Sequence, residues 1–419
     1  MRAITIVNVC FLLMLSSSTV NADIVQSSQD SWPMFRHDLA HIGVSITSVP
    51  IKNQTLWILA TGGPVGSSPA VTNGLVYIGS LDHNIYALNF STGAIEWKFP
   101  TGGEVYSSPA IINGVVYVGS FDHNVYALNG STGIQLWNFS TDSGVISSPA
   151  IADGTVYFAS NDSFIYALNA QNGKILWSYR TDDIVQSSVA VSGGIVYVGS
   201  NDDNIYALNA TTGKKIWVYA TGNYVLSSPT VADDIVYVNS FDNNTYALNA
   251  NTGELLWNRT IGHGYCMQSS PAVYGGLVYT GSYTWSPSDR IYALNATTGD
   301  VVWSYLTGGG VWSSPAVADG TVFVGSGDNR LYALNAISGT FEWSYDTSGP
   351  VYSSPAVVDG VVFVGSYDNN VYAVGVVNPI VGSGASTNNI YIVVILTAIV
   401  LFAVVTTLLA RRKRMKQPN

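Results

Sequence analysis

Carboxylates recur at one phase of this 419-residue chain, as Asp82, Asp122, Asp162, Asp202, Asp242, Asp328 and Asp368. A ring of such groups could hold calcium. Serine hydroxyls recur as well, in Ser-Ser pairs that open at Ser67, Ser107, Ser147, Ser187, Ser227, Ser269, Ser313 and Ser353. His83 and His123 each follow one of the aspartates, a placement that could share a metal. Each of these has a plainer chemistry. Asp stabilises a tight turn by accepting a hydrogen bond from its own backbone two residues on, so a turn in every unit calls for one. A nucleophile is needed once, whereas the serine pair is present eight times. The five histidines are scattered. The spacings G-x-S-x-G, G-x-G-x-x-G, H-E-x-x-H and the P-loop are absent. No residue is assigned to catalysis or to a metal.

The serine pairs step by 40, 40, 40, 40, 42, 44 and 40 residues. Self-similarity at that period means a propeller or a solenoid. Within a unit, runs such as Val76-Tyr77-Ile78-Gly79-Ser80 and Ile85-Tyr86-Ala87-Leu88 are β-branched and aromatic, as strands are. Gly74, the Asp82-His83-Asn84 cluster and Ser91-Thr92-Gly93 mark the turns between them. Each unit therefore reads as four short strands, A to D, the size of one propeller blade. Trp97, Trp137, Trp177, Trp217, Trp257, Trp303 and Trp343 recur in strand D, where they are expected to pack between blades. The last unit stops at Tyr372-Ala373-Val374 without that strand, and a matching one with Trp57 stands at Thr55–Gly62. The prediction is an all-β, eight-bladed β-propeller of four-stranded antiparallel blades, closed by this N-terminal strand, with one C-terminal transmembrane helix. Closure of this kind leaves no exposed sheet edge between first and last blades.

Departures from the repeat carry more information about function than the repeat does. Two extra residues fall within Gly262–Gln268 and four more within Tyr283–Arg290. The first stretch joins strand D to the next strand A, and the second is a turn between strands B and C. Both connections leave an antiparallel blade on the same face. On that face the residue before each serine pair varies, as Gly66, Tyr106, Ile146, Gln186, Leu226, Gln268, Trp312 and Tyr352. These are expected to line the mouth of the central channel. The candidate ligand-binding rim is Tyr106, His263, Tyr265, Trp285, Asp289, Trp312 and Tyr352, an aromatic composition typical of binding surfaces.

The ends point outside the cell. Residues 1–22 read as a signal peptide: Arg2, an apolar stretch from Ile4 to Leu15, and the small-residue site Val20-Asn21-Ala22. Residues 23–49 form a lead-in, 50–377 the propeller and 378–389 a flexible linker. Residues 390–410 carry no charge and would span about 32 Å as a helix, the thickness of the hydrocarbon layer. The basic tail 411–419 places the C-terminus in the cytoplasm and the propeller outside, a single-pass topology at the cell membrane. With signal and tail set aside, ten Lys and Arg face all 26 Asp and Glu, so the exported part carries −16. That charge repels nucleic acid. Cys266 alone remains after signal removal, which rules out an internal disulfide and reads as a shielded small hydrophobe. Sequons at Asn53, Asn89, Asn129, Asn138, Asn161, Asn209, Asn243, Asn258 and Asn295 are candidate N-glycosylation sites.

The run Ala207-Leu208-Asn209-Ala210-Thr211-Thr212-Gly213-Lys214-Lys215-Ile216-Trp217 resembles the tryptophan-docking motif of the pyrroloquinoline-quinone (PQQ) enzyme repeat family, with Asn in place of the motif's Asp. Variants recur at 87–97, 127–137, 167–177, 247–257, 293–303 and 333–343, and Trp32–Asp38 is similar to the family's lead-in. The resemblance spans residues 32–375 and implies the propeller fold. Quinoprotein dehydrogenases of that family carry a vicinal Cys-Cys disulfide over PQQ and a Glu, Asn and Asp set around calcium. A chain with one mature cysteine instead resembles the non-catalytic branch, which includes the outer-membrane assembly lipoprotein, and archaeal cell-surface repeat proteins. The resemblance thus implies no PQQ and no calcium. The expectation is a non-enzymatic, membrane-anchored extracellular propeller that binds or scaffolds a surface protein or glycan. The alternatives are a PQQ- and calcium-dependent dehydrogenase and a structural component of the cell envelope. Nothing in the sequence fixes the oligomeric state.

Overall fold

The computed structural model describes residues 31–47, 49, 53–262, 268–283 and 289–375. Eight antiparallel sheets are formed, each of four strands in the order A-B-C-D. Blade 1 is typical: Ala70–Thr72, Leu75–Ser80, Asn84–Asn89 and Ile95–Pro100. Blade 8 takes Ala356–Val358, Val361–Gly365 and Asn370–Gly375 from the end of the repeat, and Thr55–Ala60 from its beginning. The closing strand pairs Trp57 with Ala373 and Ala60 with Asn370, and it skips one residue before the Trp. Blade 1 has the same bulge, with Trp97 opposite Ala87 and Ile95 opposite Leu88. A bulge re-aims the side chain beside it, and here it turns each strand-D indole toward the neighbouring blade.

That indole forms the joint between blades. Trp97 Nε1 donates to Gly130 O of the next blade at 2.7 Å, and Trp57 makes the same bond to Phe90 O at 2.8 Å, closing the ring. The face of the Trp97 ring lies against Gly133, whose φ of 69° and 2.7 Å clearance leave no room for a Cβ. The core follows the same logic. Tyr77, Ile85 and Trp97 of blade 1 pack with Val105, Val116 and Tyr126 of blade 2 in one buried cluster. Gly79 lets those blades approach, since a Cβ there would meet Val105 Cγ1 at 2.3 Å. Burying one Trp contributes up to about 5 kcal/mol, so the joints dominate stability.

The lead-in is a structural element in its own right. Trp32 bridges Val71. Pro33 O then accepts from Ile111 N, Leu39 O from Val191 N, Ala40 O from Val231 N, Ile42 O from Val273 N and Gly43 O from Val317 N. Val44–Ser45 ends the run as a parallel fifth strand on Val317–Ala318. The segment therefore threads the channel at the end away from the varied loops, and it supplies acceptors to inner strands of blades 1, 2, 4, 5, 6 and 7. Arg36 and His41 are buried within it. Arg36 Nε donates to His41 O, and Nη1 donates to Ser270 O at 2.6 Å. Burial, and secondarily the nearby Arg36, push the His41 imidazole down to about 4; burial also lowers Arg36 to about 9.

Among the described residues there is no helix long and apolar enough to cross a membrane. The segments 1–22 and 390–410, read above as signal peptide and span, lie outside the described residues.

Candidate functional site

The two serines of each pair do different work. The first is consumed by the fold: Ser67 Oγ accepts from Gly79 N and donates to Ser107 O. The second builds a ring. Ser68 N donates to Ser108 Oγ, and the same bond runs through Ser148, Ser188, Ser228, Ser270, Ser314 and Ser354 before Ser354 N returns to Ser68 Oγ, all at 2.9–3.0 Å. Each of these oxygens is an acceptor there. None of the eight hydroxyls donates to another group among the described residues, and all eight line a cavity of about 340 Å³.

That cavity is the open end of the channel. Phe35 of the lead-in floors it, the serine ring forms its wall, and Gly66, Tyr106, Ile146, Gln186, Leu226, Gln268, Trp312 and Tyr352 form its lip. The eight varied positions thus meet where the sequence placed them. The lip has two halves. Tyr283 meets Trp312 edge-on at 5.1 Å, Trp312 lies 4.4 Å from Tyr352, and Tyr352 lies 5.0 Å from Tyr367. Gly66 sits between Tyr367 and Tyr106, where a Cβ would come within 3.4 and 3.6 Å of the two rings. The arc is therefore continuous from blade 6 to blade 2. Ile146, Gln186, Leu226 and Gln268 make the other half.

No charged side chain lines the cavity among the described residues. Burial, with Tyr367 and Glu104 nearby, pushes the Tyr106 phenol up to about 12, and burial raises Tyr352 and Tyr367 too. The phenols of the lip stay neutral at any ordinary pH, and the Glu104 side chain lies beside the Tyr106 hydroxyl. Among the described residues, Trp312 Nε1 is buried without a hydrogen-bond partner.

The recurrent aspartates belong to the turns. Asp82 Oδ1 accepts from Asn84 N, and Oδ2 accepts from Gly62 N at 2.7 Å and from the Tyr86 hydroxyl at 2.6 Å. Burial works against this carboxylate, yet the bonds from Tyr86, Asn84 and Gly62 outweigh it and hold it below its usual range. Asp122 and Asp368 repeat the pattern. Among the described residues no group of acidic, His or Cys side chains could hold a metal.

Of the predicted rim, Tyr106, Trp312 and Tyr352 come together on the lip. Asp289 does not join them: it is buried, and its carbonyl accepts from Thr307 N in the position His83 holds opposite Thr101 in blade 1. The cause is the long turn of blade 6, which shifts its only Asp one place along from the turn-capping position. His263, Tyr265 and Trp285 lie outside the described residues. Sequence reasoning missed Tyr367, Tyr283, Phe35 and the second serines. Tyr367 and Tyr283 stand at a turn position that varies between units (Leu81, Phe121, Asn161, Asn201, Phe241, Gly327 elsewhere), and that variation could have revealed them.

Comparison with known proteins follows the fold. Residues 153–407 match the family described as the beta-propeller of beta-alanine-activating enzyme, and residues 45–183 match that of the outer membrane protein assembly factor BamB. No curated protein sequence matches. BamB from Moraxella catarrhalis is similar in structure, with 19% identity, a TM-score of 0.67, and coverage of 78% of this chain and 100% of that one. A europium-containing methanol dehydrogenase has 14% identity and a TM-score of 0.73, covering 85% of this chain and 100% of its own. The quinohemoprotein alcohol dehydrogenase from Comamonas testosteroni has 16% identity and a TM-score of 0.73, covering 86% and 83%. At such identities the structures share the fold alone, with enzymes and a non-enzyme alike. The family match over residues 153–407 spans more than half of the sequence, and the chain belongs to the β-propeller family of the beta-alanine-activating enzyme, within the PQQ-like propeller superfamily.

Proposed function

We propose that the chain is a non-enzymatic binding or scaffold module, held at the cell membrane by residues 390–410 and displayed outside, with the channel mouth as the place where a surface protein or glycan is held. The observation that carries this reading is the arc of Tyr283, Trp312, Tyr352, Tyr367 and Tyr106. These rings break the repeat at a half-buried lip, where aromatic side chains supply binding energy at small entropic cost. The positively charged tail after residue 410 and the −16 of the exported part fit this topology. Sequons with an exposed Asn, at Asn53, Asn138 and Asn258, suit an exported chain.

The cofactor of the dehydrogenase relatives does not fit this cup. PQQ is a tricarboxylate held with calcium, and the described lining offers neither a cation for the one nor a carboxylate for the other. The recurrent aspartates are tied to turn amides and Tyr hydroxyls. The test is capture. Full-length chain in detergent should retain a partner from cell-surface extract, and Trp312→Ala with Tyr352→Ala should abolish retention while thermal unfolding is unchanged. Equal retention by the double variant would refute the site. Dye reduction with alcohols on adding PQQ and calcium would overturn the non-enzymatic reading.

A further inference from the structure

The channel mouth has a chemistry more specific than an aromatic surface. Eight hydroxyls accept a backbone bond and keep their own protons for the cavity. Trp312 adds a buried indole N–H with no partner. Gln186 and Gln268, facing the aromatic arc, bring amides that both donate and accept. The wall is thus rich in donors and carries no charge.

Elimination narrows what such a wall can hold. A cation would find no carboxylate on the cavity wall, and Glu104 beside Tyr106 falls far short of the roughly six to eight oxygens that calcium takes. An anion would find donors but no cation, and would have to approach an exported part that carries −16. A purely apolar ligand would cover the hydroxyls and leave them unpaired, at a cost of about 1–3 kcal/mol for each. What remains is an uncharged ligand dense in oxygen acceptors that also has an apolar face for the rings. A pyranose has both, with hydroxyls at its edge and a C–H face that is drawn to the negative face of an aromatic ring. A cavity of about 340 Å³ is at the small end of ligand sites. It admits the end of a chain and excludes a folded partner.

The geometry points to the channel mouth as a receptor for the uncharged terminal sugar of a glycan, with the C–H face on Trp312 and Tyr352 and the hydroxyls on Gln186, Gln268 and the serine ring. This rests on the channel mouth being the binding site, as proposed above. A glycan array carrying termini of neutral hexoses, N-acetylhexosamines and deoxyhexoses beside sialylated, sulfated and uronic-acid termini tests it with the full-length chain in detergent. Retention is expected on a subset of the neutral termini and on none of the acidic ones. Trp312→Ala should weaken that retention at least about tenfold, and Gln186→Ala with Gln268→Ala, the first across the channel from Tyr352 and the second beside Trp312, by about as much. No retention on neutral termini, or stronger retention on acidic ones, overturns the assignment. A companion pull-down separates this from the broader reading. Periodate treatment of the surface extract, which cleaves sugar diols, should abolish capture. Capture that survives periodate yet is lost in the double variant Trp312→Ala, Tyr352→Ala overturns the sugar and leaves the lip as a protein site. Capture that both treatments leave untouched overturns both.

Discussion

The outer joints between blades and the lip of the channel are both built from Trp and Tyr, and they differ in whether the indole N–H is spent. At a joint, the indole N–H of Trp97 and the hydroxyl of Tyr77 share one acceptor, Gly130 O, and the ring is pressed on Gly133. The arrangement repeats through blades 1 to 6, and Phe323 and Phe363 replace the Tyr in blades 7 and 8. At the lip, Trp312 leans on Tyr352 and Tyr283, and its N–H is unpaired. Gly310 permits this, because any Cβ there would collide with the Tyr283 ring. The joint spends its indole on stability, whereas Trp312 at the lip keeps an N–H with no partner among the described residues.

Stability should break hardest at a joint. Trp217→Ala removes the bond to Ala250 O and empties the space against Gly253. It should cost about 3–5 kcal/mol in denaturant unfolding of the full chain. A loss below ~1 kcal/mol would mean that the indoles are not what joins the blades.

A smaller effect belongs to the lead-in. His41 is neutral in the folded chain, with its value near 4 against an ordinary 6.5. As pH falls from 6.5 toward 4 the unfolded chain takes up a proton that the folded chain refuses, so stability drops and then levels off below 4. The loss is on the order of 3 kcal/mol. Asp82 loses stability over acidic pH as well, since its carboxylate is held below its usual range. The difference between wild type and His41→Gln isolates the imidazole. Parallel pH profiles for the two would contradict its burial as a neutral ring.

Much of this was legible from periodicity. The blade count, the phase of the joint tryptophans and the closure through Thr55–Ala60 all follow from a 40-residue repeat with one strand displaced to the other end. The path of residues 32–45 was not legible, because it has no period and depends on inner strands as far away as Val317, which bonds Gly43. The rule that whatever recurs from unit to unit is structural held for Asp82 and Ser67. Ser68 and its equivalents are structural acceptors too, and their hydroxyls donate to no other group among the described residues. Variation picked out Tyr106, Trp312 and Tyr352, and the same test applied to the turn before each Asp would have added Tyr367 and Tyr283.

The smallest expected effect on stability is also the most informative about function. In one preparation of the full chain, unfolding and capture from surface extract should be compared for Trp312→Ala with Tyr352→Ala. The account predicts a stability change of no more than about 1 kcal/mol together with loss of capture. Capture at the wild-type level by a folded double variant would contradict it.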